Sequence, residues 1–207
     1  MTNTTEVDEV QQAALDDLAK GYQVIPLPAR SKNPWRKAWQ QERRTLVDVK
    51  SDFSSEANIS RLNGEPSEGL MDVDLDAAEA VDLASEFLPG TSMIHGRASK
   101  PRSHYWYICD PSIKTAKWQD VDGAVLLEVR GSGTQTVIPP SVHPEGEKYE
   151  WAANGEPGQA DAAQLLRACT NTAICALMAR NWPAISGLRH DLANAVAGFL
   201  LRRDLDD

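Results

Sequence analysis

Three aspartates alternate with apolar residues in the stretch GLMDVDLDAAEAVDLASEF (69–87): Asp72, Asp74 and Asp76. A strand sends successive side chains to opposite faces, so Asp72 and Asp74 share a face, their carboxylates about 6–7 Å apart. That spacing suits a pair of divalent cations if the chain supplies a third ligand. Without a cation the two like charges repel, so the competing reading is a strand end facing water. Asp76 is expected to cap the helix that follows.

Three other stretches could complete a site. In GRASKPRSHYWYI (96–108), Lys100, Arg102 and Ser103 lead into His104 at the head of an aromatic strand. A cationic loop running into a strand can grip a triphosphate, with His104 donating to a phosphate oxygen. The rival is a satisfied core histidine beside a solvated loop. In LLEVRG (126–131), Glu128 is a lone acid in an apolar strand and Arg130 projects from the same face. Glu128 is therefore a metal ligand or one half of a buried pair with Arg130. In IPPSVHPEGEKYEW (138–151), Ser141 and His143 sit on a proline-rigidified turn that explains them without chemistry. A hydrolase triad of Ser141, His104 and an aspartate can be drawn, but no nucleophile elbow surrounds Ser141. His95 and His190 read as structural.

The elements that must hold these residues follow from periodicity and punctuation. A helix over 7–20 ends at Gly21, and a buried strand over 22–27 is closed by Pro26 and Pro28. A basic loop with Trp35 and Trp39 covers 31–41, and a short helix lies near 46–53. Strands are expected over 57–62, 69–74, 91–95, 103–109, 124–130 and 134–138, with a helix over 77–88. Residues 160–182 and 188–203 are Ala/Leu-rich with helical spacing. Early alternation followed by a strand-rich block suits an α/β or α+β sheet with helices on one face. Gly155, Pro157 and Gly158 mark a boundary near 157–160.

The 207 residues suffice for one generous domain, and 42% hydrophobic with 25% charged residues is ordinary globular composition. The N-terminus lacks a signal-peptide layout, and no run has the length of a membrane span. Cys109, Cys169 and Cys175 are too few for a disulfide framework, and no histidine stands near a CxxC pair to make a zinc site. A soluble, cytoplasmic protein is expected. A net charge of −9 argues against a generic nucleic-acid coat. Yet residues 30–44 carry six Lys or Arg against Glu42 alone, and 97–117 carry five against Asp110 alone. Two basic islands in an acidic chain are consistent with a localised phosphate-binding groove.

The series GYQVIPLP, GLMDVDLD, GRASKPRSH, LLEVRG and IPPSVHPEGEKYEW, in that order, resembles the primase–polymerase branch of the archaeo-eukaryotic primase superfamily. More narrowly, it is similar to the N-terminal primase/polymerase domain of plasmid and phage replication proteins. The likeness spans residues 15–151 and rests on the ordered series rather than on any single motif. It implies an α+β fold: an archaeo-eukaryotic primase-like catalytic core, made of an αβ unit and an RRM-like unit, with C-terminal helices. It implies that Asp72, Asp74 and Glu128 bind two divalent ions, Mg2+ or Mn2+. It further implies that His104 holds the incoming nucleotide; the cationic residues Lys100, Arg102 and Arg130, with Ser103, are the candidate contacts to its phosphates. The catalytic set is then Asp72, Asp74, Glu128 and His104. Two positions depart from the family pattern. Glu128 stands where Asp is common, and Arg102 stands two before the histidine where a small hydroxyl residue is usual.

The expected division is a catalytic domain over 1–157 and a helical appendage over 158–207, the start of an accessory region. The expected function is template-dependent nucleotidyl transfer on single-stranded or primed DNA with NTP or dNTP, beside a helicase region or partner and away from membranes. The alternatives are a two-metal nuclease, or a catalytically silent nucleotide- or single-strand-binding module stacking bases on Trp35, Trp39 and Trp106. Residues 188–203 present Leu192, Val196, Phe199 and Leu200 as an apolar stripe with little chain left to cover it. Residues 1–207 therefore read as a fragment or minimal form, expected to extend primers more readily than they start them.

Overall fold

A computed structural model describes residues 8–110, 113–185 and 187–203 of the chain. Strand β3 (Leu70–Leu75) has the period-two pattern LMDVDL and is buried along its whole length. Met71, Val73 and Leu75 take one face; Leu70, Asp72 and Asp74 take the other. A strand buried on both faces has a layer packed on each side of its sheet. β3 lies inside a sheet of order β6 (Ala116–Gln119), β7 (Val125–Arg130), β3, β5 (Lys100–Ile108), β4 (Met93–Arg97) and β9 (Tyr149–Asn154). All of these pair antiparallel, and β10 (Gly158–Gln159) adds in parallel beside the end of β5. A second antiparallel sheet runs β1 (Val24–Leu27), β2 (Asn58–Leu62), β8 (Gln135–Ile138).

The helices are α1 (Glu9–Ala19), α2 (Val49–Asp52), α3 (Ala78–Phe87), α4 (Ala162–Arg180) and α5 (Leu188–Arg203). α3 and α4 cover the Met71/Val73/Leu75 face. Their Ala80, Ala84, Leu165, Cys169 and Ala173 pack on Val73, Tyr105, Tyr107, Leu127 and Val129. Small residues on both helices let the backbones approach the sheet. The opposite face, with Leu70 and Trp106, meets Ile59 and Ile138 of the second sheet and Val10 and Ala14 of α1. Each large aliphatic or aromatic side chain fully buried here contributes about 1.5–3 kcal/mol. Arg61 and Asp17 form a buried two-pronged pair, both contacts 2.6 Å, and the guanidinium lies 5.0 Å from the Trp106 ring centre. That pair fixes α1 to β2 and wedges Trp106 in place.

This is a mixed arrangement of antiparallel sheets with few helices, consistent with the α+β class. The expected strands and long helices are present. Three strands were not anticipated: β6 and β10 are too short to show a period, and β9 follows directly on the proline-rich turn. The expected cap is corrected: Ala77, not Asp76, is the N-cap of α3, with no side-chain cap bond. The Asp76 carboxylate is drawn instead to Lys100, at 3.2 Å. In α5, Leu192 and Val196 are half-buried, while the Phe199 and Leu200 side chains lie outside the described residues. Among the described residues no helix is long and apolar enough to cross a membrane.

Candidate active site

Register builds the site. Across the larger sheet, Lys117 faces Glu128, Glu128 faces Asp74, Asp74 faces His104, and His104 faces His95. Directly opposed residues share a face with Cβ atoms about 4.5–5.5 Å apart, so these five form one continuous polar row over β6, β7, β3, β5 and β4. The adjoining row is Arg130, Asp72, Trp106. Both rows lie on the face turned toward the second sheet. The four residues expected to be catalytic, Asp72, Asp74, Glu128 and His104, are thus immediate neighbours.

The contacts within the rows are closed ion pairs. His104 Nδ1 donates to Asp72 Oδ2 at 3.0 Å and lies 3.6 Å from Asp74 Oδ1. Thr136 Oγ1, from β8, donates to the same Asp72 oxygen at 2.7 Å. Arg130 approaches Asp74 Oδ2 at 2.6 Å and donates from Nε to Glu128 Oε2 at 3.2 Å. Lys117 stands 3.7 Å from Glu128. Both aspartates are buried, which overturns the competing reading of a strand end facing water: β8 of the second sheet covers Asp72 through Thr136. Burial pushes the Asp74 carboxyl above its ordinary pKa, against the pull of His104 and Arg130. Burial also works against a charged His104, but Asp72 and Asp74 outweigh it and hold the imidazole pKa above the usual histidine value.

His95, read from sequence as structural, stands directly against the site. Its Nδ1 accepts from Trp106 Nε1 at 2.9 Å, which puts the ring proton on Nε2, donated to the Val137 carbonyl at 3.0 Å. Its ring stacks on His104 with centroids 4.3 Å apart. Burial, and then the neighbouring His104 charge, drive its pKa well below the usual value, so it is neutral.

A cavity of about 270 Å³ opens beside the rows. Its cationic lining is Lys32, Arg97, Lys100 and Arg130, with His104, against Asp74 and Asp76. Ser103, Gln135 and Tyr149 contribute polar edges. Lys32 and Arg97 belong to the two basic islands expected to form a phosphate-binding groove, with no individual role legible in the sequence, and nothing in the sequence singles out Tyr149. Gln135 Nε2 donates to the Lys32 carbonyl at 2.8 Å, which anchors the loop that brings Lys32 to the cavity.

Other candidates lie elsewhere. Arg102 has φ 55°, sits over the Tyr105 ring and lines a separate recess with Pro101 and Trp151. Ser141 is consumed by backbone bonds to Ile59, and His143 pairs with Glu145 in a hairpin turn. His190 is exposed on α5. Of the three tryptophans considered for stacking, Trp106 is fully buried and Trp39 partly so, while Trp35 is 54% exposed.

Carboxylate oxygens suit a hard divalent cation such as Mg2+ or Mn2+. Among the described residues, however, no three His, Cys, Asp or Glu side chains converge as a ligand group. The donors therefore fit in chemistry and adjacency, with the condition that an ion takes the place of the cations now paired to them.

The family model described as bifunctional DNA primase/polymerase, N-terminal, matches residues 14–164, most of the chain. No curated protein matches it.

Proposed function

The chain belongs to the bifunctional DNA primase/polymerase N-terminal family, and on that premise we propose that it is the catalytic domain of a plasmid or phage replication protein. In this reading it carries out template-dependent nucleotidyl transfer in the cytoplasm, on single-stranded or primed DNA. Residues 1–157 are the catalytic unit, an archaeo-eukaryotic primase-like core. Residues 158–207 begin a helical accessory region whose first helix, α4, docks on the catalytic sheet. A helicase region or partner is the expected companion.

The observation that carries the reading is the polar row Glu128–Asp74–His104 bordering a cation-lined cavity. Asp72, Asp74 and Glu128 are the ligands of two divalent ions. Bound there, such ions would activate a primer 3′-hydroxyl and neutralise the departing pyrophosphate. The chain's own groups then act by position and charge. Asp72 fixes His104 through Nδ1, which leaves Nε2 to donate to a phosphate of the incoming nucleotide. Lys32, Arg97, Lys100 and Arg130 concentrate positive charge where a triphosphate would lie. Ser103 adds a hydroxyl at the cavity wall.

The closed ion pairs favour a second reading, a catalytically silent nucleotide-binding module. Incubation with a labelled, primed template, nucleotides and Mg2+ or Mn2+ separates the possibilities. Primer extension supports the proposal, primer degradation indicates a two-metal nuclease, and nucleotide retention with neither indicates the silent module.

A further inference from the structure

Arg130 stands between two of the proposed ligand carboxylates. Two residues beyond Glu128 on one strand face, it reaches Asp74 at 2.6 Å and Glu128 at 3.2 Å. The Asp74 side chain is 7% exposed and that of Arg130 26%. A carboxylate buried this deeply needs a positive partner, and a guanidinium serves two carboxylates at once. Lys117 stands 3.7 Å from Glu128 and His104 3.6 Å from Asp74, so the close cation that Asp74 and Glu128 have in common is Arg130. That cation is tethered to a flexible side chain which also borders the cavity lined by Lys32, Arg97 and Lys100.

We propose that Arg130 is an exchangeable counter-cation that competes with a divalent ion for Asp74 and Glu128 and, once displaced, turns to the anionic phosphates in the cavity. The inference rests on the reading of these acids as metal ligands. A guanidinium and a divalent cation cannot both lie against the same two carboxylates without strong mutual repulsion. The arginine thus keeps metal affinity low until an anion is present to receive it. It also keeps the buried acids neutralised, so the fold does not depend on metal.

The test is Mn2+ binding to the full chain without nucleotide, read by electron paramagnetic resonance. Wild type is compared with Arg130→Met, Arg130→Lys and Asp74→Asn. Removal of the competitor is expected to tighten Mn2+ binding about tenfold in Arg130→Met, within the usual span of coupling between sites. Arg130→Lys, whose single ammonium cannot span both carboxylates, should fall between. Without metal the melting temperature of Arg130→Met should drop, and Mn2+ should restore it by a larger shift than in wild type. If Arg130→Met does not fold without metal, Mn2+-dependent recovery of its circular dichroism and the Arg130→Lys affinity carry the test. Mn2+ binding no tighter in either arginine variant, while Asp74→Asn still weakens it, would overturn the exchange alone. Absence of Mn2+ binding in all four proteins would overturn the metal-ligand reading and the exchange with it.

Discussion

His95 and His104 stack face to face, ring centroids 4.3 Å apart and planes 11° from parallel. The two rings have opposite electrostatic fates. His95 is locked neutral between Trp106 and the Val137 carbonyl, while His104 is held toward its charged form by Asp72 and Asp74. A neutral ring clamped at both nitrogens is a rigid floor for His104, the ring proposed to meet the nucleotide.

His95→Phe keeps the floor but strands the Trp106 N–H and the Val137 carbonyl. Two unpaired buried polar groups should cost about 2–4 kcal/mol of stability, measured by denaturant unfolding. Looser support for His104 should raise the KM for nucleotide several-fold and lower kcat less. A stability loss with unchanged KM would confine His95 to a structural role.

Asp72→Asn and Asp74→Asn should each abolish incorporation. Asp72 is buried and accepts from His104 and Thr136, so Asp72→Asn should also destabilise the fold, by about 1–3 kcal/mol. Burial already disfavours the charged form of Asp74, so Asp74→Asn should cost less. Near-normal primer extension by either variant would sink the assignment of these residues as ligands.

His104→Ala should weaken nucleotide binding far more than template binding, since its expected partner is a phosphate. Fluorescence titrations with labelled nucleotide and labelled single strand measure the two separately. Loss of template affinity with nucleotide affinity kept would move His104 to the template path.

The two histidines predict a stability maximum near the ordinary histidine pKa, about 6.5. The folded pKa of His104 is raised, so its contribution is complete below about 6.5 and is lost as pH climbs through the folded value. The folded pKa of His95 is depressed, so its contribution is complete above about 6.5 and is lost as pH falls toward the folded value. Melting temperatures between about pH 5 and about pH 9 should therefore trace a bell. His95→Phe should flatten its acid limb and His104→Gln its alkaline limb. A wild-type profile that only rises over this range would contradict the His104 assignment, and one that only falls would contradict the His95 assignment.

Residues 1–207 should extend a primer more readily than they start one. A paired duplex already orients the 3′-hydroxyl and the template base, whereas initiation leaves that ordering to the protein. Ile185, Leu188 and Leu201, around and within α5, are exposed apolar positions where additional template-holding structure could pack. The check is product yield on primed and unprimed strands with the same nucleotides and Mn2+. Dinucleotide synthesis as fast as extension would show that the core alone suffices for initiation.

Local patterns were enough to mark the two aspartates on one face of a strand, the acid in LLEVRG, the histidine heading an aromatic strand and the long helices. Each depends on spacing along a single segment, where side-chain direction follows from backbone period. What no segment carries is its partner. That Glu128, Asp74, His104 and His95 fall in one row was decided by the pairing register of four strands drawn from residues 70 to 130. Register is a collective outcome of packing on both faces of the sheet, since a one-residue slip would send Asp72 and Asp74 into the apolar layer beneath α3 and α4. The stack beneath His104, the place of Arg130 between two carboxylates and the position of Tyr149 opposite Arg97 follow from that register, whereas the cover over Asp72 and the arrival of Lys32 at the cavity follow from the second sheet closing over the first. Only the tertiary structure could decide these, because each depends on the distance between side chains that are far apart in the chain.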